Sequence, residues 1–217
     1  MKNKGCYALG GISAVISLLI IAMVRMVDVS AIGPNGTSIG LSHINQKVHE
    51  TIGVNQIWYD ITEILGGVAI LVAGIFALVG FVQLVKGKSL AKVDKEIYAV
   101  GGLYAVVVVL YALFEKVIIN YRPVIMDGET APEASFPSSH TMLTCVVMGS
   151  AMILIGKYIQ SEGLRKILQI AAAVILIVTV VGRLISGVHW FSDIMGGIFI
   201  SLTLVSIFDG IVKSFEE

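Results

Sequence analysis

Six apolar runs, each near the length of a membrane-spanning helix, leave this chain few folds to choose from. They lie at about 7–27, 58–85, 97–120, 139–156, 167–186 and 190–211. At about 1.5 Å rise per residue, roughly 20 apolar residues cross the hydrocarbon of a bilayer. Lipid offers no partner for backbone N–H and C=O groups, so each run must satisfy its own, and a helix does this. The expected fold is therefore all-α: one membrane-embedded domain over residues 1–217, built as a bundle of six transmembrane helices. Only 14% of the residues are charged, against about 25% in soluble domains. The formal net charge of zero gives no basis for a nucleic-acid partner. Cys6 and Cys145 form no disulfide or metal pattern and read as small buried residues.

Lys2 and Lys4 precede the first run, and Val29-Ser30-Ala31 resembles a signal-peptide cleavage site. The run is longer than a signal core of about 7–15 residues, and Arg25 and Asp28 intervene, so it reads as a first membrane helix. The connectors "KGKSLAKVDKE" and "KYIQSEGLRK" and the N-terminal "MKNK" are rich in cations. Ten Lys and Arg residues fall on that side of the bundle, and five (Arg25, Lys47, Lys116, Arg122 and Arg183) on the other. The positive-inside rule then puts both termini in the cytoplasm. In the outer loop 28–57, Leu41, Ile44, Val48 and Ile52 recur at helical spacing, which predicts a short amphipathic helix at the membrane surface. His43 and His49 are six apart, off adjacent turns, and make a poor metal pair.

Several polar residues sit where a membrane helix does not want them. Lys116, Arg122 and Pro123 end the third run; Ser138, Ser139 and His140 open the fourth. Arg183 is near the end of the fifth, and His189 and Asp193 open the sixth. Odd runs travel outward and even runs inward, so all of these meet at the outer face. Ionisable groups at membrane depth are costly and face a protein interior or a wet cavity. Two guanidiniums grip a doubly charged oxyanion through paired hydrogen bonds. A helix start adds free N–H groups and the positive end of its dipole. His189 and Asp193 at i, i+4 place a carboxylate beside one ring nitrogen and leave the other as a nucleophile. His140, from another helix, can protonate a leaving oxygen. This set suits phosphoryl transfer through a phosphohistidine, with arginine rather than a metal facing the transition-state charge.

These residues resemble the type 2 phosphatidic acid phosphatases, or lipid phosphate phosphatases, whose motifs are K-x6-R-P, P-S-G-H and S-R-x5-H-x3-D. The chain has "KVIINYRP", "PSSH" and "GRLISGVHWFSD". The resemblance implies catalytic roles for His189 as nucleophile, Asp193 as its orienting partner and His140 as general acid. It implies substrate-binding roles for Arg122, Arg183, Ser138, Ser139 (through its N–H, at the glycine position) and Lys116. Three departures stand out. Ser139 replaces glycine, Gly182 replaces serine, and the first motif is one residue short. On a continuous helix the residue two turns behind Arg122 is Glu115, with Lys116 about 100° off that face; either the helix loosens near Asn120 and Lys116 still reaches the phosphate, or Glu115 takes the position and orients Arg122.

The resemblance implies a metal-independent lipid phosphatase of the bacterial plasma membrane, multi-pass, with its site facing outward and no cofactor. Its substrate is a lipid phosphate, undecaprenyl pyrophosphate first, with phosphatidylglycerophosphate or phosphatidate as the alternative. Membrane lipids are its other partners, and no obligatory protein partner is implied. The non-enzyme rival is an anionic-lipid-binding transporter or scaffold, which has no use for His140 and His189 together.

Overall fold

The computed structural model describes residues 3–216. Seven helices follow in order: α1 (Asn3–Met26), α2 (Ser42–Ile52), α3 (Gln56–Gly87), α4 (Lys95–Lys116), α5 (Ser139–Tyr158), α6 (Glu162–Ile185) and α7 (Phe191–Ser214). Among the described residues there is no β-strand, only isolated bridges between Ser30 and Ile39 and between Tyr121 and Ala134. All but α2 are long and apolar enough to cross a membrane. The chain is a multi-pass membrane protein, and its spans match the predicted ones to within a few residues at each end.

The centre of the bundle is α5. Its Met142, Val146, Val147, Met148, Ala151 and Leu154 are each at most 2% exposed. Thr141, Thr144 and Ser150 are buried among them, the small polar residues that let membrane helices pack closely. On the flank, α1 runs along α7 through small residues. A Cβ on Gly10 would meet Ile207 at 3.0 Å, and one on Gly210 would meet Tyr7 at 2.8 Å. Ile64, Leu71, Ile75 and Leu78 of α3 are exposed, as a lipid-facing surface requires.

The two ends of the bundle differ. The ends of α3, α4 and α5 that carry the Lys-rich connectors hold a closed polar cluster. There Tyr158 donates to Asp94 Oδ2 at 2.8 Å, Gln83 donates to the same oxygen at 2.7 Å, and Lys157 pairs with Glu96. The opposite end carries the loops 27–41, 53–55, 117–138 and 186–190, together with α2.

Two sequence expectations change here. The third span stops at Lys116 rather than near residue 120. Beyond it come β-branched Val117, Ile118 and Ile119, poor helix formers, and Arg25 Nη1 takes the Ile118 carbonyl at 2.7 Å. The helix α2 is where the pattern placed it, but its buried residues are Ser42 and Asn45, while Ile44 is 46% exposed. Asn45 accepts the Ser192 N–H at 3.0 Å and donates to Ser192 Oγ at 2.9 Å. The ring of His49 lies 5.3 Å from that of Trp190. This surface helix is thus bolted to the start of α7 by polar contacts. Its N-terminus is capped from outside: Asp28 accepts the His43 N–H at 2.8 Å and the Ser42 hydroxyl at 2.9 Å.

Candidate active site

His189 is held by a turn between α6 and α7. Gly187, at φ +70°, lies so close to the loop before α3 that a Cβ would meet Gly53 O at 2.1 Å. The turn leaves His189 just outside α7, with Trp190 as the residue before the first helical position. His189 and Asp193 therefore do not share a helix, although the carboxylate stands on the side of the His189 ring that their spacing predicts. Asp193 Oδ2 accepts the Trp190 N–H at 3.0 Å, and Oδ1 accepts Asn120 Nδ2 at 3.2 Å. Its distance to His189 Nδ1 is 3.7 Å, too long for a hydrogen bond. Both ring nitrogens of His189 are buried without a hydrogen-bond partner. Burial first, then the charges of Arg122 and Arg183, holds this imidazole well below its usual pKa. This favours the neutral form, in which one ring nitrogen carries a free electron pair.

Arg183, at the end of α6, is fully buried. Its Nη1 donates to Glu63 Oε1 at 3.0 Å and to Thr62 Oγ1 at 3.1 Å, and its guanidinium lies 5.1 Å from the Tyr59 ring. Its Nε and Nη2 are buried and unpartnered. Gly182, in place of the family's serine, is explained by α3. A Cβ there would meet Thr62 Cγ2 at 2.7 Å and Trp58 Cε3 at 2.9 Å.

At the start of α5, Ser139 and His140 line the cavity. Ser138 lies beneath them, wholly buried, with an unpartnered hydroxyl. Its N–H donates to the Asp193 carbonyl at 3.1 Å, which joins the helix starts of α5 and α7. His140 Nε2 stands 3.2 Å from Glu63 Oε1, and its Nδ1 is buried without a partner.

Arg122 sits in the loop after α4, not on a helix. Its N–H donates to the Glu133 carbonyl at 3.0 Å, and its Nε faces Glu133 Oε2 at 3.0 Å. Because α4 ends at Lys116, counting helical turns back from Arg122 does not apply. Both candidates are exposed, and of the two Glu115 lines the cavity while Lys116 does not. Glu133, an acid of the loop before α5, is thus a partner of Arg122.

Arg122, Ser139, His140, Arg183 and His189 thus surround one cavity of about 260 Å³. Sequence reasoning missed the whole contribution of α3: Tyr59, Thr62 and Glu63. Its signal was available, since Glu63 is an acid near one end of an apolar run. Asn120 and Asn45, which secure α7, had no such signal.

A six-span helical bundle with one buried and one half-buried arginine and two histidines around a cavity at one end is a membrane protein that gathers these groups at a single site. The chain belongs to the PAP2 superfamily, which it matches over residues 97–213. Over 110 residues it is 30% identical to phosphatidylglycerophosphatase B of Bacillus subtilis (strain 168), a match covering 50% of this chain and 50% of that protein. Its fold is similar to the crystal structure of a transmembrane PAP2 type phosphatidylglycerolphosphate phosphatase from Bacillus subtilis. The TM-score is 0.65 at 19% identity, covering 95% of this chain and 96% of that one.

Proposed function

We propose that this protein is a metal-independent lipid phosphatase acting through a phosphohistidine. The observation that carries the proposal is the joining of two spaces. The polar cavity of about 260 Å³ shares Glu63, Tyr111, Ser139, His140 and Met142 with an apolar groove of about 420 Å³ between α3 and α4. A phosphate among Arg122, Arg183 and the start of α5 would leave its lipid tail in that groove.

In the first step a ring nitrogen of His189 forms a bond to phosphorus as the bond to the lipid oxygen breaks. The electron pair leaves on that oxygen, which takes a proton from His140. Water then attacks the phosphorus as the P–N bond breaks and its electron pair returns to His189; the water gives a proton back to His140, and inorganic phosphate is released. The guanidiniums stabilise the charge on the non-bridging oxygens.

The name of the Bacillus subtilis relative favours phosphatidylglycerophosphate as substrate, over the polyprenyl pyrophosphate expected from sequence. The sidedness of the Lys and Arg residues supports cytoplasmic termini and an outward-facing site.

The test is phosphate release by detergent-solubilised protein in EDTA, from phosphatidylglycerophosphate, phosphatidate and a polyprenyl pyrophosphate. Release is expected, fastest from phosphatidylglycerophosphate, and abolished in His189→Ala. Binding without release from any of them would make the protein a lipid binder. A requirement for added Mg²⁺, or a fully active His189→Ala protein, would overturn the mechanism.

A further inference from the structure

The carboxylate of Glu63 touches two functional groups at once. Its Oε1 lies 3.0 Å from Nη1 of Arg183 and 3.2 Å from Nε2 of His140. No family motif accounts for it, and it comes from α3, outside the matched residues 97–213. Its position follows from two glycine contacts. The side chains of α3 approach α6 at Gly182, where only a residue without Cβ fits against Thr62 and Trp58. The same helix approaches α5 at Gly66, where a Cβ would meet His140 Cδ2 at 2.6 Å and Nε2 at 3.0 Å. The ring of His140 therefore rests on the bare backbone of Gly66, one turn beyond Glu63, with its Nε2 facing the carboxylate.

Both Glu63 and His140 line the polar cavity and the apolar groove. The oxygen joining phosphate to lipid must lie at that junction. A proton donor working there carries positive charge beside two guanidiniums, which oppose it. Glu63 is the anion that offsets this repulsion.

We infer that Glu63 is the positioning residue of the leaving-group acid. It holds the His140 N–H at the cavity–groove junction until the lipid oxygen takes its place, and it fixes the Arg183 guanidinium in the same contact. Proton balance is that of the proposed first step: His140 gives one proton to the departing oxygen, and Glu63 gains and loses none. The inference rests on the phosphatase reading of the site.

The test uses a series of long-chain aryl phosphates whose phenol leaving groups differ in acidity. Glu63→Gln keeps the size of the side chain and removes its charge. Phosphate release from the least acidic leaving groups should fall by about 10²-fold or more, the scale of lost acid catalysis. Release from the most acidic, which depart without a proton, should fall far less, by no more than the loosened Arg183 contact costs. The dependence of kcat/KM on leaving-group acidity thus steepens. Gly66→Ala, which pushes the His140 ring aside, should steepen it likewise. Equal losses across the series would show that Glu63 acts only by anchoring Arg183, and no loss would remove it from the reaction; either overturns the inference. Failure of the wild-type protein to release phosphate from any member would instead sink the phosphatase reading.

Discussion

Asp193 takes the main-chain N–H of Trp190 at 3.0 Å and stands 3.7 Å from the His189 ring, so it binds its own helix start before it binds the histidine. The carboxylate therefore has two separable effects, a cap and a nearby negative charge. Asp193→Asn retains an oxygen for the Trp190 N–H but removes the charge that steadies a histidine becoming cationic. Turnover should fall by at least about 10²-fold. Asp193→Ala loses the cap as well and should cost roughly 1 kcal/mol more in stability. Thermal unfolding in detergent, measured beside phosphate release, separates the two. A fully active Asp193→Asn protein would show that the charge plays no part.

Lys116 makes the opposite prediction. It is exposed at the end of α4 and absent from the cavity lining, while Glu115 is part of it. Lys116→Ala should keep kcat/KM within about twofold of wild type, as a surface substitution does. Glu115→Ala should change KM, because it removes a negative charge from the wall that meets the phosphate. A large loss in the lysine variant would put that cation back in the site.

The spans were legible because lipid imposes one strict condition, about 20 apolar residues in a helix, and nothing else in the sequence imitates it. The convergence of Arg122, His140, Arg183 and His189 was legible for a related reason. Charged groups in apolar runs are few, and alternating span direction sorts them by depth. What stayed hidden depended on where helices end. The Glu115–Lys116 argument presumed a helix continuing to Arg122, and the His189–Asp193 argument presumed one beginning at His189. Arg122 instead lies beyond the end of α4, and His189 lies before the start of α7. Glu63 was overlooked because one acid in the first turns of a span reads as an interfacial residue. Only the close approach of α3 to α5 at Gly66 and to α6 at Gly182 turns it inward.

That closeness predicts the outcome of restoring the family's residue. In Gly182→Ser the new Cβ would meet Thr62 Cγ2 at 2.7 Å and the Trp58 ring at 2.9 Å. Overpacking of this kind costs about 1–3 kcal/mol. Adding Thr62→Ser, which removes the contacting methyl, should recover part of the loss. A double-mutant cycle on thermal stability reads the coupling. Strict additivity would mean that α3 does not press on this position.

The role of α2 is tested at Asn45. This fully buried side chain satisfies both the N–H and the hydroxyl of Ser192. Asn45→Ala leaves that N–H without its partner, at a cost of about 1–3 kcal/mol. The start of α7 should loosen, with faster amide exchange from His189 to Asp193 and reduced turnover. Replacing the exposed Ile44 by alanine should leave exchange at these sites unchanged. If Ile44→Ala loosens α7 and Asn45→Ala does not, α2 acts through its apolar face after all.

The state of His189 gives a prediction in pH. Burial first and the two arginines next lower its pKa in the folded protein well below 6.5. Between that lowered value and 6.5 the unfolded chain binds a proton that the folded chain refuses. Folding stability from this residue is therefore complete above pH 6.5 and declines as the pH falls below it. The nucleophile, meanwhile, stays neutral through the same window. Histidine ring NMR of the detergent-solubilised protein, with His189→Gln to assign the signal, should show no protonation of His189 at pH 6.5. A midpoint at or above that pH would mean that the imidazole is solvated or paired, and that the cavity does not hold it ready to attack.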